Sequence, residues 1–528
     1  MSRRRVLMVG WDGATWDAID PLLRAGRLPN LEALLSRGFR TELRSTVPPV
    51  TPAAWTSLAT GQGPGRTGVL GFRHLDLRRP SGFNPKLAGS SDLRGRTLFE
   101  HAAASGLGVA VAAFPMTWPP FPIEGGVLLS GWPRPETATA PVWPAQEADA
   151  FPSWGKGPTR PSSTRFTRDG REDPVAAARQ LDERTLWAAK HWVATRDDRL
   201  TFVGFQGTDH LAHHYWGCPE LDDCYIRCDE WLGVLQREMG KDSTTFLVSD
   251  HGFGPGPQSR VHLGRVLASA GLLARATKES PGPSIVGRLS KSVRHSLRPE
   301  SWKRLRTYVP GSVRRWGFEQ ASDVAGLDSA RTRVCRVSLY EGYEGIVVQV
   351  RGRQRGGNVA PEDWAAVRNE ARSAVLKVRD ATGPVVRAIW DREQLWEGPA
   401  LPGMPDLVIQ LREDLTGGNA LGDGPVVEPL GDQRQKGSHR RMGIVAGAGP
   451  GISRSSPDPI DPWDVLPTAL AVLGLGVPEG IDGAPVSSVL TNAPPSPIPR
   501  AGRGSPEKSD DVADWDLEQS LKELGYLS

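Results

Sequence analysis

Three short apolar runs, each followed closely by acidic or histidine residues, constrain the fold more than any other feature of the sequence. They are RVLMVG at 5–10, LTFVG at 200–204 and TTFLV at 244–248. Runs of this length without polar alternation are typical of strands buried on both faces of a parallel sheet. Because the carboxyl ends of such strands face the ligand crevice, the residues that follow each run are candidates for a functional site.

The residues after these runs have the chemistry of metal ligands. Asp12 follows the first run, Asp209 and His213 follow the second, and Asp250 and His251 follow the third. If the second segment is helical, Asp209 and His213 share one face, since they are four residues apart. Carboxylate and imidazole groups both bind zinc. Each motif also has an ordinary interpretation, because Asp before Gly is a common turn and Asp-x-x-x-His is often a surface ion pair or a cap.

The stretch PPVTPAAWTSLATG at 48–61 places a hydroxyl, that of Thr51, at a predicted strand-to-helix turn. Proline fixes φ and suits a first helical turn, where its missing N–H has no consequence. A helix that starts here would direct its free N–H groups and the positive end of its dipole toward an anion at Thr51, such as phosphate. Taken alone, the stretch fits a capped helix start without chemistry better than a functional site.

A third candidate histidine, His439, precedes an apolar run at 442–446. A second pair, His210 with His214, leaves the register of the segment after the second strand open, although Asp209 follows the strand end most directly. Three strand ends carry acidic residues, two of them also carry histidine, and His439 adds a histidine from a distant segment. Separate structural roles do not account well for all of these residues together. The combined pattern predicts a two-metal site that contains Thr51.

Composition and patterning indicate one large α/β protein with many turns. Gly (60) and Pro (46) together make up about a fifth of the 528 residues. Helical patterns at 22–38, with Asn30 as a cap, at 97–105 and at 175–195 alternate with strands, including VAVAAF at 109–114. A net charge of +4 gives no argument for nucleic-acid binding. The short apolar run near the start is too short for a secretion signal or a membrane span, so we expect a soluble, cytoplasmic protein.

The four cysteines suggest one alternative metal site. Cys218, Cys224 and Cys228 lie close together and could form a zinc knot with His214. Their spacing matches no common zinc motif, and Cys224 and Cys228 fall on one face of a predicted helix. We therefore prefer the interpretation that these residues are structural.

The residues described so far belong to longer motifs that identify a family. The chain resembles the alkaline phosphatase superfamily, and specifically its type I phosphodiesterase/nucleotide pyrophosphatase branch, and the resemblance covers nearly the whole chain. The motifs that carry it are VLMVGWDGATW, GRLPNLEALLSRG, PPVTPAAWTSLATGQGPG, VSDHGFGP, GSHRRMGIVAGAGPGI, LPGMPDLVIQL and DPIDPWDVLPTALAVLGLGVPEGIDGAPV. The implied fold is an alkaline phosphatase-like three-layer α/β sandwich with a mostly parallel central sheet and an inserted cap region.

The resemblance implies two divalent metal ions, zinc in the first place and manganese as the alternative. It assigns Asp209, His213 and His439 to one metal. The other metal takes Asp12, Asp250 and His251, together with the oxygen of Thr51. Thr51 would be the nucleophile that forms a phospho-threonine intermediate. This argues against a sulfatase, because the nucleophile motif of sulfatases resembles CxPxR instead.

The implied substrate is a small phosphorylated molecule, with a nucleotide diester as the first expectation. A phosphomonoesterase or phosphonate hydrolase is the alternative enzyme, and a non-catalytic metal-bound binding or regulatory protein is the alternative of another class. Two positions depart from the resemblance. Thr67 stands where a related loop has histidine, and Phe72 stands where related diesterases place a phosphate-binding asparagine, counted from Thr51. Arg66, Arg73 and His74 are nearby candidates for the missing contact.

The expected domain organisation is one catalytic domain, 1–490, with insertions at about 132–174 and 254–343. A Pro/Ser/Gly-rich linker follows at 491–509, and a helical tail at 510–528. The basic segment 288–315 contains nine Lys or Arg. It is open to interpretation as a lid over the cleft, a patch for a membrane surface or an acidic ligand, a nucleic-acid contact, or a solvated helical face.

Overall fold

The computed structural model describes residues 4–77, 83–134, 141–150, 173–275, 327–354, 356–431 and 435–499. The strands, in chain order, are β1 (Arg5–Trp11), β2 (Phe39–Arg44), β3 (Arg73–Leu75), β4 (Phe83–Leu87), β5 (Val109–Phe114), β6 (Val127–Ser130), β7 (Val142–Trp143), β8 (Leu200–Phe205), β9 (Ser243–Val248), β10 (Gly252–Pro255), β11 (Ser259–Val261), β12 (Val334–Tyr340), β13 (Tyr343–Val348), β14 (Arg379–Asp380), β15 (Gly383–Pro384), β16 (Val386–Asp391), β17 (Leu407–Leu411), β18 (Leu415–Gly417), β19 (Val427–Pro429), β20 (Gly437–Arg440) and β21 (Met442–Ala448).

The α-helices, again in chain order, are α1 (Trp16–Arg24), α2 (Pro29–Leu35), α3 (Thr51–Thr60), α4 (Pro64–Thr67), α5 (Leu98–Ala104), α6 (Pro174–Thr195), α7 (Gly207–Tyr215), α8 (Pro219–Met239), α9 (Leu263–Ser269), α10 (Trp364–Leu376), α11 (Arg392–Leu395) and α12 (Pro462–Leu473).

An eight-stranded sheet organises the chain, in the order β2-β21-β9-β1-β8-β5-β6-β7. Strand β1 pairs in parallel with both β8 and β9, and β5 pairs in parallel with β8 and β6. Antiparallel strands β2, β21 and β7 complete the two edges. The register sets Gly10 of β1 beside Gly204 of β8 and Val248 of β9, so the three predicted strands end at one edge of the sheet.

Helices cover both faces of this sheet and give the predicted three-layer sandwich. One core contains β1 residues such as Leu7 and Val9, packed with side chains of α1, α2, α6, α7 and α8. The alternating residues Val6 and Met8 lie in the opposite core, with side chains of α3, α5 and α12. Because successive side chains of a strand point to opposite faces, a wholly apolar strand can bury both faces in this way.

A smaller antiparallel sheet, β12-β13-β17-β16, has its own core with helices α9 and α10. The buried carboxylate of Asp406 anchors it, since Asp406 accepts hydrogen bonds from Val348 N at 2.7 Å and Trp364 Nε1 at 3.0 Å. The turn between β12 and β13 extends from this sheet toward the edge where β1, β8 and β9 end, as the contacts at the site show.

The helix predicted at 22–38 is wrong in its extent. The segment forms two helices, α1 and α2, with Gly26 at φ +65° between them. Asn30 is not a cap, because Leu28 occupies that position and makes no side-chain cap hydrogen bond. Instead the carboxylate of Asp229 on α8 accepts hydrogen bonds from the backbone N–H groups of Asn30 and Leu31, at 3.1 and 2.7 Å. A distant residue thus stabilises this helix start.

Most other predicted elements agree with the structure to within one or two residues, including the helices at 97–105 and 175–195 and the strand at 109–114. Cys224 and Cys228 lie on α8, buried in the core, and all four cysteines are free. The two groups of described side chains that could hold an ion contain no cysteine. No described helix is long and apolar enough to cross a membrane. The basic segment 288–315, most of the predicted linker and the tail 510–528 lie outside the described residues.

Candidate metal centre

The predicted site residues come from four separate elements. Asp12 follows β1, Asp209 and His213 lie on α7, and Asp250 and His251 follow β9, while His439 lies on β20. The antiparallel pairing of β10 with β20 sets His439 opposite Phe253, two residues after His251. Two hydrogen bonds tie the ends of β1 and β8 together, from Asp12 N to Phe205 O at 3.0 Å and from Thr208 Oγ1 to Asp12 O at 2.5 Å. All six predicted ligands are buried.

Helix α3 begins at Thr51, as predicted, and Pro52 occupies the second helical position. Val50 is extended, with φ −137° and ψ 139°, so the chain turns sharply into the helix. A connection of six residues separates β2 from this helix. Every residue of α3 is buried, and the helix packs against α12. Thr51 Oγ1 lies 3.4 Å from Nε2 of His251, so the hydroxyl is inside the group of predicted ligands.

One group of ligand atoms consists of Asp12, Asp250 and His251. His251 Nε2 lies 3.7 Å from Asp12 Oδ1 and 3.4 Å from Asp250 Oδ2. The other carboxylate oxygens are engaged: Trp55 Nε1 donates to Asp12 Oδ2 at 3.2 Å, and Gly13 N donates to Asp250 Oδ1 at 3.3 Å. Within the described part of the chain, Asp12 Oδ1 and Asp250 Oδ2 accept no hydrogen bond from a donor group. Two buried carboxylate oxygens therefore face His251 without a donor.

A second group of ligand atoms consists of Asp209, His251 and His439, and the predicted ligand His213 lies beside it. Asp209 Oδ1 lies 3.2 Å from His439 Nε2 and 3.8 Å from His213 Nε2, and the two histidine nitrogens are 3.2 Å apart. His251 is also within reach, since its Nε2 lies 3.8 Å from Asp209 Oδ1 and its ring stacks on that of His439 with centroids 3.6 Å apart. His251 thus lies between the two groups. The alternative residue His210 packs edge-on against Trp132 instead.

Burial controls the protonation of these groups. Burial, reinforced by the neighbouring carboxylates of Asp250 and Asp209, raises the pKa of Asp12 well above its ordinary value. Burial likewise raises the pKa of Asp250 to about 7. It lowers the pKa of His251, and it lowers the pKa of His439 to about 3, so these imidazoles are neutral near neutral pH. Neutral imidazoles have a free lone pair, and clustered carboxylates attract a cation.

The arrangement fits two divalent metal ions. The histidine Nε2 atoms lie 3.2 to 3.8 Å from the donor atoms around them, which is the spacing of ligands around one ion with bonds of about 2.0–2.2 Å. The tautomers also fit. His439 Nδ1 donates to Pro49 O at 2.9 Å and His251 Nδ1 to Gly252 O at 3.2 Å, because a carbonyl oxygen can only accept. Each Nε2 is therefore left with its lone pair directed at the ligand group.

Glu341 supports this centre and was missed from the sequence. Its carboxylate accepts hydrogen bonds from Ser438 Oγ at 2.5 Å, from His439 N at 3.0 Å and from Gln435 Nε2. Its Oε1 also lies 3.8 Å from His213 Nδ1. Burial raises the pKa of Glu341 to about 7. The residue lies at the turn between β12 and β13, more than eighty residues from any predicted ligand, and no local pattern indicates its role.

A mostly apolar wall lies beside the start of α3. It consists of Val50, Ala53, Phe72, Trp132 and Tyr340, which form one buried cluster. Phe72 packs edge-on against Trp132 with ring centroids 5.0 Å apart, so the position expected to carry an asparagine contributes an apolar ring and no hydrogen-bond donor.

Two of the candidates for the missing contact are engaged elsewhere. Arg66 forms an ion pair with Asp482 at 2.5 Å, and His74 Nε2 lies 3.0 Å from Asp92 Oδ1. Arg73 begins strand β3.

Comparisons with known proteins agree with this architecture. The human ectonucleotide pyrophosphatase/phosphodiesterase 5 structure is 12% identical in sequence, with a TM-score of 0.51 over 92% of this chain and 100% of that chain. The murine protein of the same name is also 12% identical, with a TM-score of 0.51 over 89% of this chain and 95% of its own. At this identity the likeness establishes the fold alone. A search of curated protein sequences found no match.

The family model for type I phosphodiesterase/nucleotide pyrophosphatase matches residues 6–439, a span that includes all of the predicted metal ligands and Thr51. The chain therefore belongs to the type I phosphodiesterase/nucleotide pyrophosphatase family of the alkaline phosphatase superfamily, whose members are metal-dependent hydrolases of phosphate ester bonds.

Proposed function

We propose that the protein is a phosphodiesterase in which Thr51 is the nucleophile at a two-metal site. The observation that carries the proposal is the position of Thr51, whose hydroxyl lies at the first residue of α3 and 3.4 Å from His251 Nε2. A buried hydroxyl beside clustered carboxylates and neutral imidazoles is the arrangement that phosphoryl transfer to a side chain needs.

Two sets of residues would hold the ions. Asp209, His213 and His439 would hold one, and Asp12, Asp250 and His251 would hold the other together with Thr51 Oγ1. When bound, the ions supply positive charge that lowers the pKa of the threonine hydroxyl and offsets the charge of the phosphoryl oxygens. Zinc suits the mixed nitrogen and oxygen ligands, with manganese as the alternative.

The chain's own residues supply nucleophile and orientation. Thr51 Oγ1 loses its proton to solvent and forms a bond to phosphorus, while the bond from phosphorus to the leaving alcohol breaks. The product on the enzyme is a phosphorylated threonine, which water then hydrolyses. The N–H groups in the first turn of α3 would face the reacting group. Pro52 has no N–H and Ala54 N donates to Val50 O, so the N–H groups of Thr51 and Ala53 are the ones that would contact the phosphoryl group.

The wall beside Thr51 favours a diester over a monoester. Its five residues Val50, Ala53, Phe72, Trp132 and Tyr340 include no charged side chain. A monoester dianion would need cationic partners beyond the metals, whereas a diester has one negative charge and an ester group that can pack on aromatic rings. The phosphomonoesterase or phosphonate hydrolase is the second candidate, since the metal ligands suit either reaction.

The proposal is tested by turnover of bis-p-nitrophenyl phosphate and p-nitrophenyl phosphate by protein loaded with zinc or manganese. Thr51→Ala should abolish turnover of both. Thr60→Ala is the matched control, because Thr60 ends the same buried helix and its hydroxyl donates to Thr56 O at 2.7 Å. Preference for the diester supports the proposal, and preference for the monoester supports the second candidate. Metal binding without turnover of either would indicate a binding protein, and full activity of Thr51→Ala would exclude this nucleophile.

A further inference from the structure

Tyr340 reaches the metal centre from the smaller sheet. It is the last residue of β12, it is buried, and its ring lies in the wall beside Thr51. Its hydroxyl lies 3.1 Å from Nε2 of His439, and the two ring centroids are 4.7 Å apart. A tyrosine hydroxyl is thus present among the atoms that would bind metal.

We infer that the Tyr340 hydroxyl donates a hydrogen bond to a non-bridging oxygen of the phosphoryl group during transfer to Thr51. This inference rests on the function proposed above and names a further catalytic residue for it. The phosphorylated substrate would then be held by a phenol donor from the smaller sheet, in addition to the metals and the start of α3.

The Tyr340 hydroxyl lies among the atoms that surround His439 Nε2, close to where the substrate would bind. Around His439 Nε2, Asp209 Oδ1 and His213 Nε2 each lie at 3.2 Å, and the Tyr340 hydroxyl lies at 3.1 Å. Asp209 and His213 belong to the predicted ligand set, whereas the Tyr340 hydroxyl does not and is an additional neighbour of His439 Nε2. Catalytic zinc sites use three protein ligands and leave the fourth position to water or substrate. The hydroxyl therefore lies beside the ligand atoms, where it can donate to a substrate oxygen that takes this open position.

The chemistry of the wall supports a donor role. A neutral phenol has one O–H to donate. Three residues of the wall have no side-chain hydrogen-bond donor, namely Val50, Ala53 and Phe72. A preorganised donor stabilises the charge that develops on phosphoryl oxygens.

Glu341 holds this tyrosine in place. The residue next in the chain accepts hydrogen bonds from His439 N and Ser438 Oγ, so the turn that carries Tyr340 is fixed to the strand that carries His439. The hydroxyl and the histidine therefore keep their relative position without any contribution from substrate.

The test compares Tyr340→Phe with Tyr343→Phe. Tyr343 lies on the other side of the same turn, in a separate cluster with Val47, Leu70 and Trp396, so its substitution removes one hydroxyl from outside the wall beside Thr51. We expect kcat for bis-p-nitrophenyl phosphate to fall about 10²- to 10³-fold in Tyr340→Phe, the loss seen when one oxyanion donor is removed. Tyr343→Phe should stay within about twofold of the wild type.

Two further measurements separate the donor role from other roles. Bound zinc, measured by elemental analysis, should be the same in Tyr340→Phe and the wild type. A loss of zinc would show that Tyr340 is a metal ligand and would overturn the inference. The loss in kcat should also be equal across aryl phosphodiesters with different leaving groups, whereas a loss that grows with the pKa of the leaving alcohol would make Tyr340 a general acid instead.

Orthovanadate binding to the zinc-loaded protein keeps the inference testable without turnover. Calorimetry should show weaker binding of orthovanadate by Tyr340→Phe than by Tyr343→Phe, and equal binding would overturn the inference. If the wild type hydrolyses no phosphate ester, the proposed function fails while this comparison still stands. If the wild type is active, Thr51→Ala is inactive and Tyr340→Phe is fully active, the inference fails and the proposed function stands.

Discussion

Replacing Glu341 by glutamine should weaken zinc binding while the fold stays intact. Three donors converge on the two carboxylate oxygens, and Oε1 lies 3.8 Å from His213 Nδ1. Glutamine would turn one of these oxygens into an NH₂ group that cannot accept, so His213 and His439 would lose part of their orientation. Loss of such a supporting partner typically lowers metal affinity about 10- to 100-fold, or about 1.4–2.7 kcal/mol.

The assay is competition for zinc with a chromophoric chelator, with thermal unfolding in EDTA as the check on the fold. Burial raises the pKa of Glu341 to about 7, so the carboxylate is charged at pH 8 and largely protonated at pH 6. The difference between Glu341→Gln and the wild type should therefore be larger at pH 8 than at pH 6. Glu42→Gln, on the exposed side of β2, is the control. Equal zinc affinity of a folded Glu341→Gln and the wild type at pH 8 would refute the reasoning.

Three further predictions concern stability and metal content. Burial raises the pKa of Asp182, which accepts hydrogen bonds from Gln206 N and Gly207 N, from 3.8 to about 7. Its contribution to stability is present at low pH and is lost as the pH rises through about 7, by at most roughly 4 kcal/mol. Denaturant unfolding from pH 4 to 7 should show this decline in the wild type relative to Asp182→Asn; parallel curves would contradict it. Gly10→Ala should lower the melting temperature, because its Cβ would lie 2.7 Å from the Trp55 ring, and an unchanged melting temperature would show that the ring can move. Asp250→Asn should lose bound metal in elemental analysis, and unchanged metal content would exclude Asp250 as a ligand.

The predictable part of the fold lies in local patterns. The runs that become β1, β8 and β9 are mostly apolar because both faces of each strand are buried, and this pattern is visible in the sequence without any tertiary information. Parallel strands place the residues that follow them at one edge of the sheet, so the sequence alone predicts that Asp12 and Asp250 lie close together. The start of α3 was equally visible, since Pro52 fits only the first turn of a helix.

The unpredictable part depends on contacts between distant segments. Asp229 stabilises the start of α2 from almost two hundred residues away in the chain, so the local pattern at 22–38 predicts Asn30 as the cap instead. Tyr340 and Glu341 reach the metal centre only because the turn between β12 and β13 extends back to β20. Neither residue is part of a motif with metal-ligand spacing. Supporting residues of this kind are determined by the tertiary packing and leave no periodic signal in the sequence.

The central claim is that Thr51 becomes covalently modified during turnover. Acid quenching of the zinc-loaded protein with bis-p-nitrophenyl phosphate, followed by tryptic digestion and mass spectrometry, tests it directly, because the peptide 45–66 contains Thr51 together with five other Ser or Thr residues. We predict that fragmentation places a p-nitrophenyl phosphoryl group on Thr51 and that Thr51→Ala gives an unmodified peptide. A label on another residue, or single-turnover hydrolysis with no label on this peptide at any quench time, would contradict the account.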